Sequence, residues 1–216
     1  MIFVNFKTYE NGTGEAALKL AEICHMVEEE TGVEIIPVVQ TADIFRLAQK
    51  GFRVWAQHVD DIEYGQYTGQ ILPESVVAAG ARGTLLNHSE NKLTLVQIEE
   101  LLEKIACLGL KSLVCAQSLV EGEQIARMKP DFLAYEPSEL IAGNISVSAS
   151  RPEVVCEFVE KIKNLPVLIG AGIHIRKDIE RGLGLGAKGF LVSSDIVLAK
   201  DPGKELLDLA KGFNEI

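Results

Sequence analysis

The sequence predicts an α/β protein: one (β/α)8 barrel over residues 1–216, eight parallel strands alternating with eight helices. Three observations lead there. Apolar runs of strand length recur, and they are continuous rather than alternating, as strands buried on both faces are. A stretch of helical period follows each run, and strict alternation means parallel strands joined by helical crossovers. A chain of 216 residues lies toward the short end of the range for that fold.

The elements follow in order. Strands are expected at 2–6, 33–39, 52–59, 83–87, 111–116, 132–135, 166–170 and 189–192. Between them, residues 14–30 repeat apolar side chains at Ala17, Leu20, Ala21 and Val27, and residues 93–108 at Leu95, Ile98, Leu101, Leu102 and Ile105. Helices are also expected at 153–162 and 204–213, with shorter ones at 43–49, 73–79, 121–128 and 177–185. Gly32, Gly51, Gly80, Gly109 and Gly186 each follow a helical stretch, where a left-handed residue ends the helix. Pro73 and Pro152 sit at helix starts, where a missing N–H costs little. An open doubly wound sheet would place a G-x-G-x-x-G turn after the first strand. Here that strand runs into Asn5-Phe6-Lys7-Thr8-Tyr9, and the glycines of 182–186 end a helix.

Composition narrows the function. Asp and Glu number 31 against 21 Lys and Arg, a net charge of −10, with no basic block. Nucleic acid and anionic membrane are therefore excluded as partners, whereas a small anionic ligand held by local donors is allowed. No apolar run approaches the ~20 residues that span a bilayer. The first ten residues read as no secretory leader, so a cytoplasmic location is expected. Cys24, Cys107, Cys115 and Cys156 are not spaced as C-x-x-C, and His25, His58, His88 and His174 are scattered. No metal site is expected, and the cysteines read as reduced, buried thiols.

In a barrel, the chemistry gathers where strands end at their C-terminal side. Asn5 and Lys7 lie two apart after the first strand, so extended backbone would aim both the same way. A strand-end Lys calls for a carboxylate, and Glu90 is the one at hand, or for an anion at the mouth. His88 follows the fourth strand, with Ser89 read as the N-cap of the next helix; the positive end of that helix would oppose protonation of the imidazole. Glu136, between an apolar strand and Pro137, is a candidate general base. Gly170-Ala171-Gly172 and Ser193-Ser194 open the segments after strands seven and eight, where exposed N–H groups suit an anion.

Taken together, N-F-K at 5–7, N-H-S-E at 87–90, A-Y-E-P at 134–137, G-A-G at 170–172 and G-F-L-V-S-S at 189–194 resemble the triosephosphate isomerase family, in its order and over the whole chain. The compact length is most similar to the archaeal branch. The resemblance implies interconversion of dihydroxyacetone phosphate and glyceraldehyde 3-phosphate in glycolysis and gluconeogenesis, on a small phosphorylated triose. It assigns Glu136 as the base that moves the proton and His88 as the electrophile that polarises the carbonyl. Lys7 becomes the cation offsetting negative charge, and Asn5 a partner of substrate oxygens. Ser89 and Glu90 match positions that order the site. Ile141, Gly172, Ser193 and Ser194 match positions whose backbone faces the phosphate. The reaction it implies needs no metal or cofactor, but it needs a lid, expected at 137–150. There the chain departs from the family, with Ala142-Gly143-Asn144 where Gly-Thr-Gly is usual.

Two rivals stand beside that reading: a barrel isomerase acting on another sugar phosphate, and a silent barrel used for binding. A homodimer or homotetramer is expected, because Ile62, Tyr64 and Tyr67 look exposed in the long loop at 59–71.

Overall fold

The computed structural model describes residues 1–137 and 152–214. Its strands are β1 (Ile2–Asn5), β2 (Ile35–Val39), β3 (Trp55–Ala56), β4 (Gly83–Leu86), β5 (Lys111–Ala116), β6 (Phe132–Tyr135), β7 (Val167–Ile169) and β8 (Gly189–Val192). They form a closed barrel in chain order, and every pair is parallel. Closure is made by β8 on β1, with Phe3 opposite Leu191. The helices are α1 (Glu15–Thr31), α2 (Thr41–Gln49), α3 (Pro73–Ala78), α4 (Leu95–Cys107), α5 (Leu119–Arg127), α6 (Pro152–Lys161), α7 (Arg176–Gly184), α8 (Ser194–Val197) and α9 (Pro202–Lys211). The five glycines expected to end helices all have positive φ. α8, only four residues long, and a 3-10 turn at Glu10–Gly12 have no counterpart in the sequence reading, being too short to show a period.

Burial divides each strand by parity. Phe3, Ile36, Val38, Trp55, Leu85, Leu113, Cys115, Ala134, Leu168 and Leu191 pack inside the barrel. Their strand neighbours, such as Ile2, Val4, Leu86, Val114, Leu133, Val167 and Phe190, pack outward with the helices. Phe3 plugs the interior edge-on to Trp55, ring centroids 4.9 Å apart. Gly83 leaves room for that indole, since a Cβ there would lie 2.4 Å from it.

Several strands are shorter than the apolar runs suggest. β1 stops at Asn5 and β4 at Leu86 because Lys7 and Asn87 have left-handed backbone, φ 47° and 57°, which no ladder continues. β3 keeps two residues of an eight-residue run, although Val54 and Val59 are fully buried: that burial comes from packing rather than from pairing. The helix after β4 begins at Leu95, not beside His88. Its N-cap is Thr94, in a reciprocal capping box with Gln97, so Ser89 is not a cap. Ser89 lies instead in a turn closed by the Asn91 N–H on the His88 carbonyl, 2.8 Å.

Two surface expectations need correction. Ile62 is buried, because Lys104 donates to its carbonyl at 2.8 Å and holds that part of the loop on α4; Tyr64 and Tyr67 are exposed. Cys24 and Cys115 are buried, but Cys107, the last residue of α4, is exposed and Cys156 is half-buried.

Candidate active site

The site is the next layer of the barrel interior. Two residues above interior Phe3, Cys115's neighbour Ala134, Leu168 and Leu191 come Asn5, Glu136, Gly170 and Ser193, and the same parity aims all four at the mouth. They line one cleft with Lys7, His88, Gly172 and Ser194. Of the other sequence-predicted residues, Glu90 stands behind Lys7 and His88, Ser89 does not border the cleft, and Ile141, with the proposed lid beyond Pro137, lies outside the described residues.

Lys7 reaches the cleft by a turn rather than by strand parity. Its N–H donates to Asn5 Oδ1 at 3.0 Å, and Gln57 Nε2 donates to its carbonyl at 2.9 Å. These bonds hold the left-handed backbone, and the ammonium then meets Glu90 Oε1 at 2.7 Å. The pairing expected from sequence is present, whereas the shared extended face is not.

His88 is oriented by the residue two places on. The Glu90 N–H donates to its Nδ1 at 3.2 Å. A ring nitrogen that accepts a hydrogen bond carries no proton, so the proton of the neutral imidazole sits on Nε2. This bond does the work that the sequence reading gave to a helix terminus. Nε2 lies 3.7 Å from Glu136 Oε1, too long for a hydrogen bond and short enough for one substrate to meet both groups.

Glu136 is 4% exposed, and its Oε2 has no hydrogen-bond partner among the described residues. Burial pushes its carboxyl above the usual range, opposed by His88, by the Cys115 thiol and by Lys7. Burial, followed by the charge of Glu136, also drives the Cys115 thiol well up, so it stays protonated. A Cβ on Gly170 would sit 2.4 Å from Glu136 Cγ, so β7 gives the carboxylate its space. The sequence reading missed Cys115 and Gly170 as neighbours of the base. Interior parity on β5 and β7, counted up from Leu113 and Leu168, was the signal available for both.

The opposite wall is backbone. Gly172 has φ 63°, open to glycine and strained for most other residues. Ser193 Oγ donates to the Asn5 carbonyl at 2.8 Å, closing β8 on β1 and leaving its main chain at the cleft. His174 Nδ1 lies 2.9 Å from Asp195 Oδ1, a tie between the segments after β7 and β8 that the sequence gave no hint of.

The family model described as triosephosphate isomerase matches residues 1–212. A triosephosphate isomerase of Methanobacterium bryantii is 47% identical over 214 residues, covering 97% of this chain and 95% of the relative. Those of Methanosarcina barkeri and Methanothermus fervidus are each 42% identical, covering 97% of this chain and 97% and 96% of theirs. Among solved structures, the crystal structure of triosephosphate isomerase from Bartonella henselae superposes with a TM-score of 0.74 at 18% identity, covering 99% of this chain and 98% of that one, a likeness of fold. With a barrel closed in this order and a family match over nearly its whole length, the chain belongs to the triosephosphate isomerase family.

Proposed function

We propose that Glu136, His88 and Lys7 divide the work of this isomerisation, on one barrel unit formed by residues 1–216. The reaction interconverts dihydroxyacetone phosphate and glyceraldehyde 3-phosphate, a step of glycolysis. The observation that carries the division of labour is the 3.7 Å approach of Glu136 Oε1 to the protonated nitrogen of His88. A base and a donor at that spacing serve a carbon and the oxygen on the neighbouring carbon.

The steps follow from the groups. Glu136 takes a proton from the carbon next to the carbonyl, and the C–H electron pair becomes the new C=C bond. The carbonyl electrons move onto oxygen, where His88 Nε2–H meets the developing charge. His88 Nε2 passes its proton to that oxygen and takes the proton of the neighbouring hydroxyl, whose O–H electrons form the new C=O; Glu136 returns its own proton to the former carbonyl carbon, giving the other triose. A carboxyl raised by burial is the stronger base, which suits a proton this weakly acidic. Lys7 offsets the negative charge of substrate and enediolate, Asn5 borders the same oxygens, and Ser89 and Glu90 order the loop around His88. Backbone at Gly172, Ser193 and Ser194, joined by Ile141, holds the phosphate.

The chain also assembles with copies of itself, a reading supported by Tyr64 and Tyr67, 77% and 44% exposed on the loop after β3, and checked by its mass in sedimentation. Its place is the cytoplasm: four free thiols fit a reducing compartment, and no helix among the described residues is long and apolar enough to cross a membrane. Fractionation of cells checks that placement.

The deciding experiment is Glu136→Gln, assayed on glyceraldehyde 3-phosphate and, through a coupled dehydrogenase, on dihydroxyacetone phosphate. The amide keeps the shape and cannot take the proton. Turnover is expected to fall by at least the ~10²–10⁴-fold that a positioned base contributes. Retention of a tenth of wild-type turnover would show that the base is another group.

A further inference from the structure

We propose that Asn87 and Glu121 are positioning residues for His88: they fold the segment between β4 and α4 so that the imidazole, and not the side chain before it, faces Glu136. The inference rests on the reading of His88 as electrophile. It goes beyond that reading because neither Asn87 nor Glu121 borders the cleft.

Parity states the problem. On β4 the interior residue is Leu85, so the next inward position is 87 and not 88. Extended backbone would send Asn87 into the cleft and His88 out toward the helices. The left-handed turn at Asn87, φ 57°, breaks the alternation. Such backbone is disfavoured for most side chains with a Cβ; Asn tolerates it best, and the bonds its side chain makes here fix it.

Those bonds are present, and all lead away from the cleft. Asn87 is fully buried. Its Nδ2 donates to the Cys115 carbonyl at 2.8 Å and to Glu121 Oε1 at 2.9 Å, and its Oδ1 accepts the Leu93 N–H at 2.9 Å. The last bond closes the segment into a ring, fixing the end of the turn that holds His88, Ser89 and Glu90. Glu121, one element further along the barrel on α5, grips the ring at a second point: its Oε1 also takes Lys92 Nζ at 2.8 Å, and its Oε2 takes the Gln117 N–H at 2.8 Å. Although burial pushes the Glu121 carboxyl up, the Lys92 ammonium and the Gln117 and Asn87 donors outweigh it and hold the group below the usual range. It therefore stays an ionised anchor, and charge-assisted bonds of this kind are the stronger ones. No helix begins until Leu95, so nothing helical steadies the segment that carries His88.

The test is a pair of double-mutant cycles on the full chain, with kcat and KM from the coupled assay and thermal unfolding followed in parallel. Asn87→Gly removes the side-chain bonds while accepting positive φ without strain. Glu121→Ala removes the anchor from outside the barrel and serves if Asn87→Gly fails to fold. Each is expected to lower kcat about 10- to 100-fold, the scale on which a misplacement of about 1 Å acts, with KM within about threefold of wild type. Glu121→Gln, which keeps an acceptor oxygen for Asn87 and Lys92, is expected to recover most of that loss. In a His88→Gln background neither variant should lower kcat further, because the group they position is gone. The proposal is overturned if both single variants keep kcat within about threefold of wild type, or if their losses multiply with that of His88→Gln, the mark of a general structural role. His88→Gln alone with near-normal turnover would instead remove the electrophile reading itself.

Discussion

Lys7, His88 and Glu136 meet on one side of the cleft as side chains, two of them held by Glu90: its carboxylate on Lys7 and its N–H on His88. The side made by β7 and β8 is different. There Gly170, Gly172 and Ser193 offer main chain, and the one hydroxyl among them is spent on the Asn5 carbonyl. The two constructions suit two tasks. Proton transfer needs groups with tuned affinity for a proton, and tuning needs burial and charged neighbours. Gripping a phosphate needs many weak donors at close range, which main chain supplies where side chains are absent. The side-chain half should therefore fail when one charge is lost, and the main-chain half when an atom is added.

The largest effect expected from that contrast is at Lys7. Lys7→Met removes the cation nearest the base in a chain of net charge −10, and leaves Glu90, which is 58% exposed, to solvent. The fall in kcat/KM is expected to be about 10³-fold, at the upper end of what one preorganised donor contributes. Lys50→Met, exposed on the surface, is the control and should change kcat/KM by less than twofold. Near-normal kinetics for Lys7→Met would break the comparison at its stronger side.

Gly170→Ala probes the seam between the halves. The added methyl group would meet Glu136 Cγ at 2.4 Å, and that side chain is buried with little room to yield. A displaced base should lower kcat by about 10²-fold while KM changes little, since near-attack geometry is lost and phosphate contacts are not. If KM rises and kcat holds, Gly170 belongs with the phosphate wall, and the boundary drawn between the halves has to move.

The sequence reveals the two halves unequally. Apolar runs and terminal glycines predict all eight strands and the longer helices between them, because burial on both faces leaves a continuous signal. Glu136, His88 and Lys7 are visible as charged or titratable residues placed where apolar strands stop. Their neighbours are not. Cys115 becomes a site residue, and Gly170 a neighbour of the base rather than only of an anion, when each strand is counted by interior parity, and parity needs one inward residue known on every strand. Ser89 shows the opposite error: a Ser before a helical stretch satisfies the N-cap pattern, but Thr94 with Gln97 three residues on satisfies it better and wins. The left-handed turn at Lys7 leaves no composition signal, and the one at Asn87 only the weak tolerance of Asn for positive φ.

The smallest expected effect concerns what the tuned half costs the fold. Glu136 has its carboxyl raised by burial, so between its ordinary unfolded value of about 4.3 and its raised folded value the native state binds more protons than the unfolded one. Stability then falls as pH rises through that window, because the slope of unfolding free energy with pH follows the protons bound in the unfolded state minus those bound in the native state. Glu136→Gln has no such group. Its shape and volume are nearly unchanged. The variant should therefore match wild type in Tm at the acid end of the window and exceed it above the raised value. Unfolding curves of both proteins at intervals from pH 5 to 8 measure the difference directly. A gap that widens with pH locates the energetic cost of the base in its burial. A gap that stays flat, or a wild type more stable at pH 8, would mean that His88, Cys115 and Lys7 together compensate the carboxylate fully, and the tuned half of the cleft would then be no less relaxed than the main-chain half.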